Sequence, residues 1–400
     1  MPDMPTGQLI RLYRIDRKKS TVNVATLASI TVRYLEMIEA GTKTPTLHVL
    51  RKLAKVLGVR TSALLGEAPS EHHEGPVNPR LAELERALLT YRTLALSDSG
   101  ELPSSDELDE QIKATQLVWL TSPSKYSDAL RVLPGLIINS ERAVHESGRS
   151  VEACRQMSEV YQLTRAVLKY LGRTDLCGLV SDRAMRYAEE TDDPLLIAAA
   201  TWSLGHAMLT DDMPAGALDL ATKGSEALEP LLPDGNPEHF SLYGGLLLVA
   251  TLGALRTDDP WRARELLRGP AHQAAQRVGD GHNYHSTVFG PTNVGIHRVR
   301  VEYECGEISE ALRLADEIDI TRTPSLERKT SLLYKVAQCY DSRNNDTAVF
   351  VHLKMAEALC PEDFQHRQEV RSMVNTLVKR AKPSYASEVR EFAGRVGLLD

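Results

Sequence analysis

Aromatic side chains, paired cysteines and long apolar runs are all scarce in this chain of 400 residues. Aromatic residues make up only 5% of it, which disfavours an all-β protein because aromatic and β-branched residues carry β-strands. The five cysteines are scattered and never form a Cys-x-x-Cys pair, which favours reduced cytosolic thiols over a disulfide framework or a zinc ribbon. The longest nearly apolar stretch, residues 244–255, is shorter than the ~20 residues of a membrane span. We therefore expect neither a membrane protein nor a secreted scaffold, but a cytoplasmic one.

Charge is distributed unevenly over an otherwise ordinary globular composition. Apolar residues make up 42% of the chain and charged residues 25%, which suits a large buried core. Residues 1–66 contain eleven Lys and Arg against four Asp and Glu, so this segment carries +7 and the remainder −14. A basic head on an acidic body predicts a polyanionic partner for the head alone. The alternative is a basic surface that is merely solvated.

Composition also suggests where the chain divides. Residues 67–80 lie in a stretch rich in Pro, Gly, Glu and His that lacks an apolar period, so we predict a linker between domains at 1–66 and 81–400. Apolar spacing of three and four residues predicts helices over 80–96, 106–121, 124–147 and 151–171, with a loop at 97–105. Four prolines that follow a polar residue predict helix starts: Pro194, Pro260, Pro324 and Pro383.

A weak internal repeat runs through the second part. The sequence ALDLA at Ala217–Ala221 recurs as ALRLA at Ala311–Ala315, with ARELL at Ala263–Leu267 between them. The three copies begin 46 and 48 residues apart, and small residues that recur at such intervals predict stacked helical hairpins. The hairpin that contains Gly205 and Ala217 resembles a tetratricopeptide repeat. The predicted fold is therefore all-α, with a five-helix N-terminal domain and a C-terminal right-handed superhelix of tetratricopeptide-like hairpins; a compact irregular bundle is the alternative.

Residues 7–66 resemble the helix-turn-helix domain of the phage Cro and repressor class, the XRE family. The match consists of a first helix over 7–17, Ser20-Thr21 opening the second, a turn at 29–31, a recognition helix over 32–39 and a closing segment at 40–45. Lys18, Lys19 and Ser29 depart from the family pattern, which usually has Gly and an apolar residue before Ser20 and Gly in the turn. The two lysines are expected to compensate for weakened phosphate contacts.

The resemblance implies DNA-binding roles for the third helix and its neighbours. Thr31 can cap this helix so that its amides point outward. Its first residues lie nearest the base edges in the major groove. Arg33 is the candidate for a guanine contact, Val32 for a thymine methyl group, and Glu36 for a cytosine amino group or the rim of the interface. The family mapping places phosphates at Thr21, Lys43 and Thr44. The full set of predicted DNA-binding residues is Thr21, Thr31, Val32, Arg33, Glu36, Met37, Lys43 and Thr44.

Arg14 and Glu39 match a pair that, in this family, connects the first helix to the recognition helix. We therefore predict a structural role for them and no contact with DNA.

The large second part resembles the helical sensor of peptide-sensing quorum regulators, and more closely that of long actinobacterial regulators that carry a segment like Phe289–Val294 followed by His297. Asn293, His297, Arg300 and Glu304 recur at four, three and four residues, which predicts one polar stripe. An amide suits a peptide bond and an arginine suits a carboxylate. The alternative is a solvated outer face. The predicted ligand-binding residues are Trp202, His206, Tyr243, Asn293, His297 and Arg300, although Trp202 and His206 also fit an ordinary core.

Other constellations are weak. His282 and His285 have a spacing that is common by chance, and no cysteine or carboxylate pair completes a tetrahedral metal site beside them. Catalytic and nucleotide-binding fingerprints are not found, so we expect no enzyme, cofactor or metal. The sequence predicts a homodimeric transcriptional regulator that binds double-stranded DNA and senses a peptide or a small-molecule effector. The alternatives are a scaffold that recruits a protein partner to DNA, and an enzyme with a site in the helical groove.

Overall fold

The computed structural model of the protein describes residues 5–17, 19–59, 61–64, 79–89 and 101–398. Within these ranges the chain is helical and contains no β-strand, which confirms the all-α prediction. The chain divides into two compact units, a smaller one of residues 1–77 and 304–307, whose part before residue 78 is called the head, and a larger one of residues 78–303 and 308–400, called the body. Most of the predicted linker at 67–80 and of the loop at 97–105 lies outside the described residues. The handedness of the superhelix and the domain boundaries stay predictions.

The head is built from short helices whose ends are set by side chains. Its described helices are α1 (Thr6–Asp16), α2 (Thr21–Leu27), α3 (Val32–Glu39), α4 (Leu47–Leu57) and α5 (Thr61–Leu64). The hydroxyls of Ser20, Thr31 and Thr46 cap α2, α3 and α4 by accepting a hydrogen bond from a backbone amide of the first turn. All five helices were expected from the sequence. Ser29, in the turn between α2 and α3, has a φ of 55°, a left-handed conformation that explains why the family pattern has Gly there.

The core of the head lies between α1, α2, α3 and α4. Close packing of α1 on α3 depends on Gly7, because a Cβ there would lie 2.0 Å from the carbonyl oxygen of Ile38. The buried apolar side chains of this core are Ile10, Val24, Ala25, Ala28, Leu35, Ile38, Leu50, Leu53, Ala54, Leu57 and Leu64.

The body is a succession of helices in which neighbours along the chain pack on each other. Its described helices are α6 (Pro79–Leu89), α7 (Ser105–Thr121), α8 (Lys125–Glu146), α9 (Val151–Tyr170), α10 (Thr174–Glu189), α11 (Pro194–Thr210), α12 (Pro214–Leu228), α13 (Pro237–Arg256), α14 (Pro260–Arg268), α15 (Pro270–Val278), α16 (Pro291–Glu304), α17 (Ile308–Asp316), α18 (Leu326–Ser342), α19 (Asp346–Leu359), α20 (Asp363–His366), α21 (Gln368–Arg380) and α22 (Ala386–Arg395). The predicted helices over 106–121, 124–147 and 151–171 are confirmed within one residue at each end.

Tight turns between helices of the body recur with the same chemistry. Thr-Asp-Asp precedes α11, α12 and α14, and one Asp of each turn has a positive φ: Asp192 at 52°, Asp212 at 57° and Asp258 at 71°. Asp and Asn tolerate the left-handed region better than most side chains, so a short polar turn can reverse the chain. The alanines of the repeat lie in the first turns of the following helices, and Ala217, Ala263 and Ala311 are fully buried there.

Two of the four expected proline starts are confirmed and two are wrong. Pro194 and Pro260 are the first residues of α11 and α14. Pro324 instead precedes α18, which begins at Leu326 because Ser325 caps it by accepting from the amide of Arg328. Pro383 lies three residues before α22.

Helix α13 is long and apolar enough to cross a membrane by length and composition, but 78% of that apolar window is buried inside the body. Its small residues let other chain segments approach: a Cβ at Gly253 would lie 2.8 Å from the Cβ of Leu218, and one at Gly244 would lie 1.9 Å from the ring of Phe289. These close approaches show that α13 packs tightly against α12 and against the segment before α16.

The first turn of α8 and the start of α20 meet around one buried carboxylate. Asp363 accepts hydrogen bonds from Tyr126 Oη at 2.7 Å and Thr330 Oγ1 at 2.9 Å, and Lys125 Nζ lies 3.3 Å from it. Lys125 and Asp363 are both fully buried. This group, called the Asp363 cluster, joins segments of the body that are more than 230 residues apart in sequence.

Candidate nucleic-acid interface and ligand cleft

The third helix of the head has one face in the core and one in solvent. Leu35 and Ile38 are buried, whereas Arg33 and Glu36 are exposed. Thr31 Oγ1 accepts from the Tyr34 amide at 3.2 Å, so the threonine expected to cap α3 does cap it. Because a capped N-terminus leaves other first-turn amides pointing outward, this end of α3 can contact an anion or the edge of a base.

Two of the predicted base-reading residues lie at the border between these faces. Val32 and Met37 are half-buried, and Val32 packs partly against the head's core. The segment after α3 is held on the carbonyl oxygen of Met37, which accepts from the amides of Thr42 and Lys43 at 2.9 and 3.2 Å. That anchoring leaves the side chains of Lys43 and Thr44 exposed.

Thr21 is the half-buried first residue of α2. Ser20 caps that helix by accepting from the amide of Asn23 at 3.1 Å, so the hydroxyl of Thr21 is not the cap. The structure thus places all eight predicted DNA-binding residues on α2, on α3 with its capping residue Thr31, and on the segment that follows α3. Their contacts with DNA stay predictions.

Arg14 and Glu39 connect α1 to the end of α3, as expected. Arg14 donates from Nε to Glu39 Oε1 at 2.6 Å and from Nη2 to Oε2 at 2.8 Å. The pair is largely buried, and its hydrogen bonds raise the pKa of Arg14. The structural role predicted for the pair is confirmed.

Lys19, one of the two extra lysines expected to compensate for phosphate contacts, has a partner within the head, and its contact with phosphate stays a prediction. Its ammonium donates to the carbonyl oxygen of Val56 at 2.5 Å, and the neighbouring Arg17 donates to that of Leu57 at 2.5 Å. Both cations therefore bind the last carbonyls of α4, where the helix dipole favours positive charge. Lys18 lies outside the described residues.

The body contains a partly open cleft with a cavity volume of about 80 Å³. Two of the predicted ligand-binding residues, Trp202 and His206, line it and pack edge to face at 4.8 Å between ring centres. Further aromatic lining comes from Trp119 and Tyr170. The complete lining is Gln116, Trp119, Leu120, Gln162, Leu163, Arg165, Ala166, Lys169, Tyr170, Trp202, His206, Asn283, Ser286, Val288, Ser325, Glu327 and Arg328.

Positive charge predominates among these lining residues. Arg165, Lys169 and Arg328 are cationic, and Glu327 is the single acid. Glu327 is already neutralised, because Arg328 donates to it at 2.7 Å and Tyr170 Oη donates to it at 2.7 Å.

The ionisation of the cleft's side chains reflects this imbalance. Desolvation lowers the pKa of Lys169 to about 7; the charges of Arg165, Arg300 and Arg367 act in the same direction, and Glu327 opposes them. Desolvation, assisted by the charges of Arg165, Lys169 and Arg328, also lowers the pKa of His206 well below its ordinary value. At neutral pH the cleft therefore contains a neutral histidine, a lysine near its midpoint and two arginines.

The other predicted ligand-binding residues do not line the cleft. Asn293 and His297, on α16, are only 2% and 7% exposed, so the alternative of a solvated outer face is wrong for both. Among the described residues neither amide atom of Asn293 has a hydrogen-bond partner. His297 Nδ1 lies 3.0 Å from the Asn293 carbonyl oxygen, and desolvation lowers the pKa of His297 to about 3.

Arg300 is half-buried, and its positive charge lowers the pKa of both His297 and Lys169. Tyr243 belongs to a different part of the body, where its hydroxyl lies 3.4 Å from Glu229 Oε1 just after α12.

The histidines at 282 and 285 have separate surroundings. His282 stacks on Tyr284, and His285 Nε2 lies 3.8 Å from Glu238. Over the described ranges, no group of three or more His, Cys, Asp or Glu is arranged to hold a metal ion.

Sequence reasoning missed the charged wall of the cleft. Arg165 is only 4% exposed, donates from Nε to Ser203 Oγ at 3.1 Å and lies over the Trp202 ring. One signal was present: Arg165 and Lys169 are four residues apart on α9, a helix with a mostly apolar pattern, so they share one face. Two cations on the inward face of a buried helix indicate a polar cavity.

Comparisons with known proteins agree with the geometry of the head. The helix-turn-helix family matches residues 10–64. The immunity repressor protein of Bacillus phage phi105 is 29% identical over 122 residues, which span 28% of this chain and 83% of that protein.

Among solved structures, Bacillus thuringiensis PlcR in complex with the peptide PapR7 and DNA aligns over 94% of this chain and 100% of its own, at 10% identity and a TM-score of 0.30. The apo form of the competence regulator ComR from Streptococcus vestibularis aligns over 98% of both chains, at 11% identity and a TM-score of 0.32. The family match and the observed helices together identify residues 10–64 as a helix-turn-helix domain.

Proposed function

We propose that the protein is a cytoplasmic, homodimeric, sequence-specific transcriptional regulator whose body senses a peptide or small-molecule signal. In this proposal residues 1–66 bind double-stranded DNA, residues 67–80 connect the domains, and residues 81–400 sense and dimerise. The observation that carries the proposal is the exposed face of α3, which presents Arg33 and Glu36 from a helix-turn-helix domain of net charge +7. The relationship to an immunity repressor supports it.

On DNA, α3 enters the major groove with its capped end foremost. Arg33 donates two hydrogen bonds to guanine, Val32 contacts a thymine methyl group, and Glu36 and Met37 complete the base-facing surface. Phosphates lie against Thr21, Lys43, Thr44 and the amides that follow Thr31. Two such heads in a dimer recognise half-sites about one helical turn, ~10 base pairs, apart on one side of the duplex.

The signal binds in the body, where the cleft offers aromatic walls and hydrogen-bonding groups. Trp202 and His206 contact it directly, whereas Asn293, His297, Arg300 and Tyr243 are assigned to its support or to adjoining parts of the site. A buried amide without a partner, as at Asn293, costs about 1–3 kcal/mol, which a ligand or a rearrangement of α16 would relieve. To act as a switch, the signal must bind one arrangement of the dimer more tightly than the other. The proposal assigns no catalytic step to the chain.

The DNA-binding half of the proposal is tested by selecting bound fragments from random duplexes with the full-length protein and measuring gel shifts on the selected site and on a scrambled one. Arg33→Ala is expected to weaken binding to the selected site by about 1–3 kcal/mol and to relax one base position. Arg11→Ala is the matched control, since Arg11 is exposed on α1 and is not among the predicted DNA-binding residues. Equal affinity of the wild-type protein for selected and scrambled DNA contradicts the proposal.

The sensing half is tested by mass spectrometry of material released from the purified protein, followed by gel shifts with and without that material. A peptide or metabolite that changes the DNA affinity supports sensing. A stoichiometric protein partner with no small ligand supports the scaffold alternative instead.

A further inference from the structure

The cleft of the body has more positive charge than its own carboxylate can balance. Glu327 is shared between Arg328, Tyr170 and Ser331, at 2.7, 2.7 and 2.9 Å. Within the described part of the chain, no carboxylate lies within ion-pair distance of Arg165 or Lys169. Burying such cations without a counter-ion is unfavourable, so the wall formed by α9 favours the entry of an anion.

Arg165 and Lys169 are positioned to contact one ligand group together. They lie one turn apart on the same face of α9, and both line the cleft. Arg165 is fixed by its hydrogen bond to Ser203, and its guanidinium lies 5.4 Å from the centre of the Trp202 ring. Lys169 Nζ lies 4.9 Å from the centre of the Tyr170 ring. A preorganised guanidinium beside an ammonium is a suitable receptor for carboxylate or phosphate oxygens.

The aromatic side chains of the cleft indicate what carries the anion. Trp119, Trp202 and Tyr170 line the same space as the two cations. Aromatic walls bury apolar surface, whereas the cations bind only the charged end. The matching ligand has an apolar or aromatic body with one acidic group.

Resting on the sensing function proposed above, we propose that this cleft binds a ligand bearing a carboxylate or phosphate group, which Arg165 and Lys169 contact together. The charged groups around Lys169 come from several elements: Arg165 and Tyr170 on α9, His206 on α11, Arg300 on α16, Glu327 and Arg328 on α18, and Arg367 before α21. Desolvation by burial, assisted by the charges of the surrounding arginines, explains why Lys169 readily loses its proton in this cleft.

An anion beside Lys169 reverses that imbalance, so the bound lysine holds its proton to higher pH. The free lysine is half-protonated near pH 7. If anion binding restores the ordinary pKa of Lys169, the affinity for the anion falls by roughly 10- to 30-fold between about pH 6.5 and about pH 8.5. Near pH 8 almost one proton is taken up for each anion bound, which calorimetry in two buffers of different ionisation enthalpy measures.

The probes are two dyes that share one aromatic skeleton, 8-anilino-1-naphthalenesulfonate, which is anionic, and N-phenyl-1-naphthylamine, which is neutral. We expect the anionic dye to bind the full-length protein in the pH-dependent manner above and the neutral dye to bind with no pH dependence. Lys169→Met is expected to remove the pH dependence of binding and to lower the affinity for the anionic dye at low pH. Lys169→Arg keeps tight binding at both pH values, because an arginine retains its charge.

Lys223→Met is the matched control, since Lys223 lies exposed on α12 beside Asp219, and this variant must behave as wild type. Displacement of the anionic dye by a random peptide pool with free C-terminal carboxylates, but not by its amidated copy, identifies a carboxylate ligand. Displacement by phenyl phosphate alone identifies a phosphate ligand.

Equal, pH-independent binding of both dyes overturns the inference. So does a pH dependence that survives in both Lys169 variants. The inference also fails if the peptide pool, its amidated copy and phenyl phosphate all leave the anionic dye bound. Because these measurements contain no DNA, their failure leaves the proposed DNA-binding function to its own test.

Discussion

Gly7 tests whether the close packing of α1 on α3 holds the recognition helix in place. A Cβ added at residue 7 would lie 2.0 Å from the carbonyl oxygen of Ile38 and 3.3 Å from that of Glu39. Both obstacles are backbone atoms near the end of α3, so neither can turn away as a flexible side chain would. The helices must separate by about 1 Å or more to reach an ordinary contact.

We expect Gly7→Ala to destabilise the head. Overpacking of this kind costs about 1–3 kcal/mol, and the higher helix propensity of alanine returns at most ~1 kcal/mol. A net loss of about 1–2 kcal/mol corresponds to a 5- to 30-fold rise in the unfolded fraction of the head. Affinity for DNA should fall as well, because the displaced helix is the one that carries Arg33.

Hydrogen exchange of the full-length protein is the suitable assay, since a protein with two compact units has no single unfolding free energy. Amides of α1 and α3 should exchange faster in Gly7→Ala, and amides of the body should not change. Gly178→Ala is the matched control: Gly178 is exposed on α10 with nothing within 4 Å of an added Cβ, so alanine should stabilise that helix by about 0.5–1 kcal/mol. Unchanged protection of α1 and α3 in Gly7→Ala would refute the packing argument.

Three further predictions concern the helix cap, the basic residues and the buried carboxylate. Thr31→Ala should cost the head about 1 kcal/mol and speed exchange of the Tyr34 amide, while Thr31→Ser retains the cap; equal exchange in both contradicts this. Lys19→Ala should loosen the end of α4 without changing the salt dependence of DNA binding. Lys43→Ala should instead reduce the slope of log affinity against log salt concentration by about 1. The opposite result would show that Lys19 contacts DNA. Asp363→Asn should destabilise the body by about 3–5 kcal/mol, because Lys125 and Arg367 lose their buried partner. Despite the opposing effect of desolvation, the charges of Arg367 and Lys125 lower the pKa of Asp363. The ionised carboxylate therefore stabilises the fold at pH values above the unfolded pKa of ~3.9, and this stabilisation is lost as the pH falls below it. Urea titrations across that pH range should show an acid-sensitive part of the stability in wild type that the variant lacks.

The head could be predicted from the sequence because its determinants are local. Hydroxyl residues at 20, 31 and 46 cap the helices that follow them, and the spacing of apolar residues is set by the helix period. The contact of Lys19 was not predicted, because its partner, the carbonyl oxygen of Val56, lies 37 residues away and is a backbone atom. Every residue has a backbone carbonyl, so no residue type indicates which carbonyl accepts a hydrogen bond from a cation.

The cleft could not be assembled in the same way, since its wall combines residues of α7, α9, α11 and α18 with the segment before α16. The hydrogen bond from Tyr170 to Glu327 spans 157 residues, and no local pattern specifies it. Trp202 and His206, which were predicted as ligand-binding residues, both lie on α11 and line the cleft. The failure of tetratricopeptide-like periodicity to identify Arg165 and Lys169 has a physical cause: the repeat pattern reports small and large apolar positions that pack helices together, whereas a binding wall is where charged side chains replace them. Charged residues on the buried faces of repeat helices, and not the repeat residues themselves, are therefore the sequence feature from which we predict the chemistry of the proposed ligand.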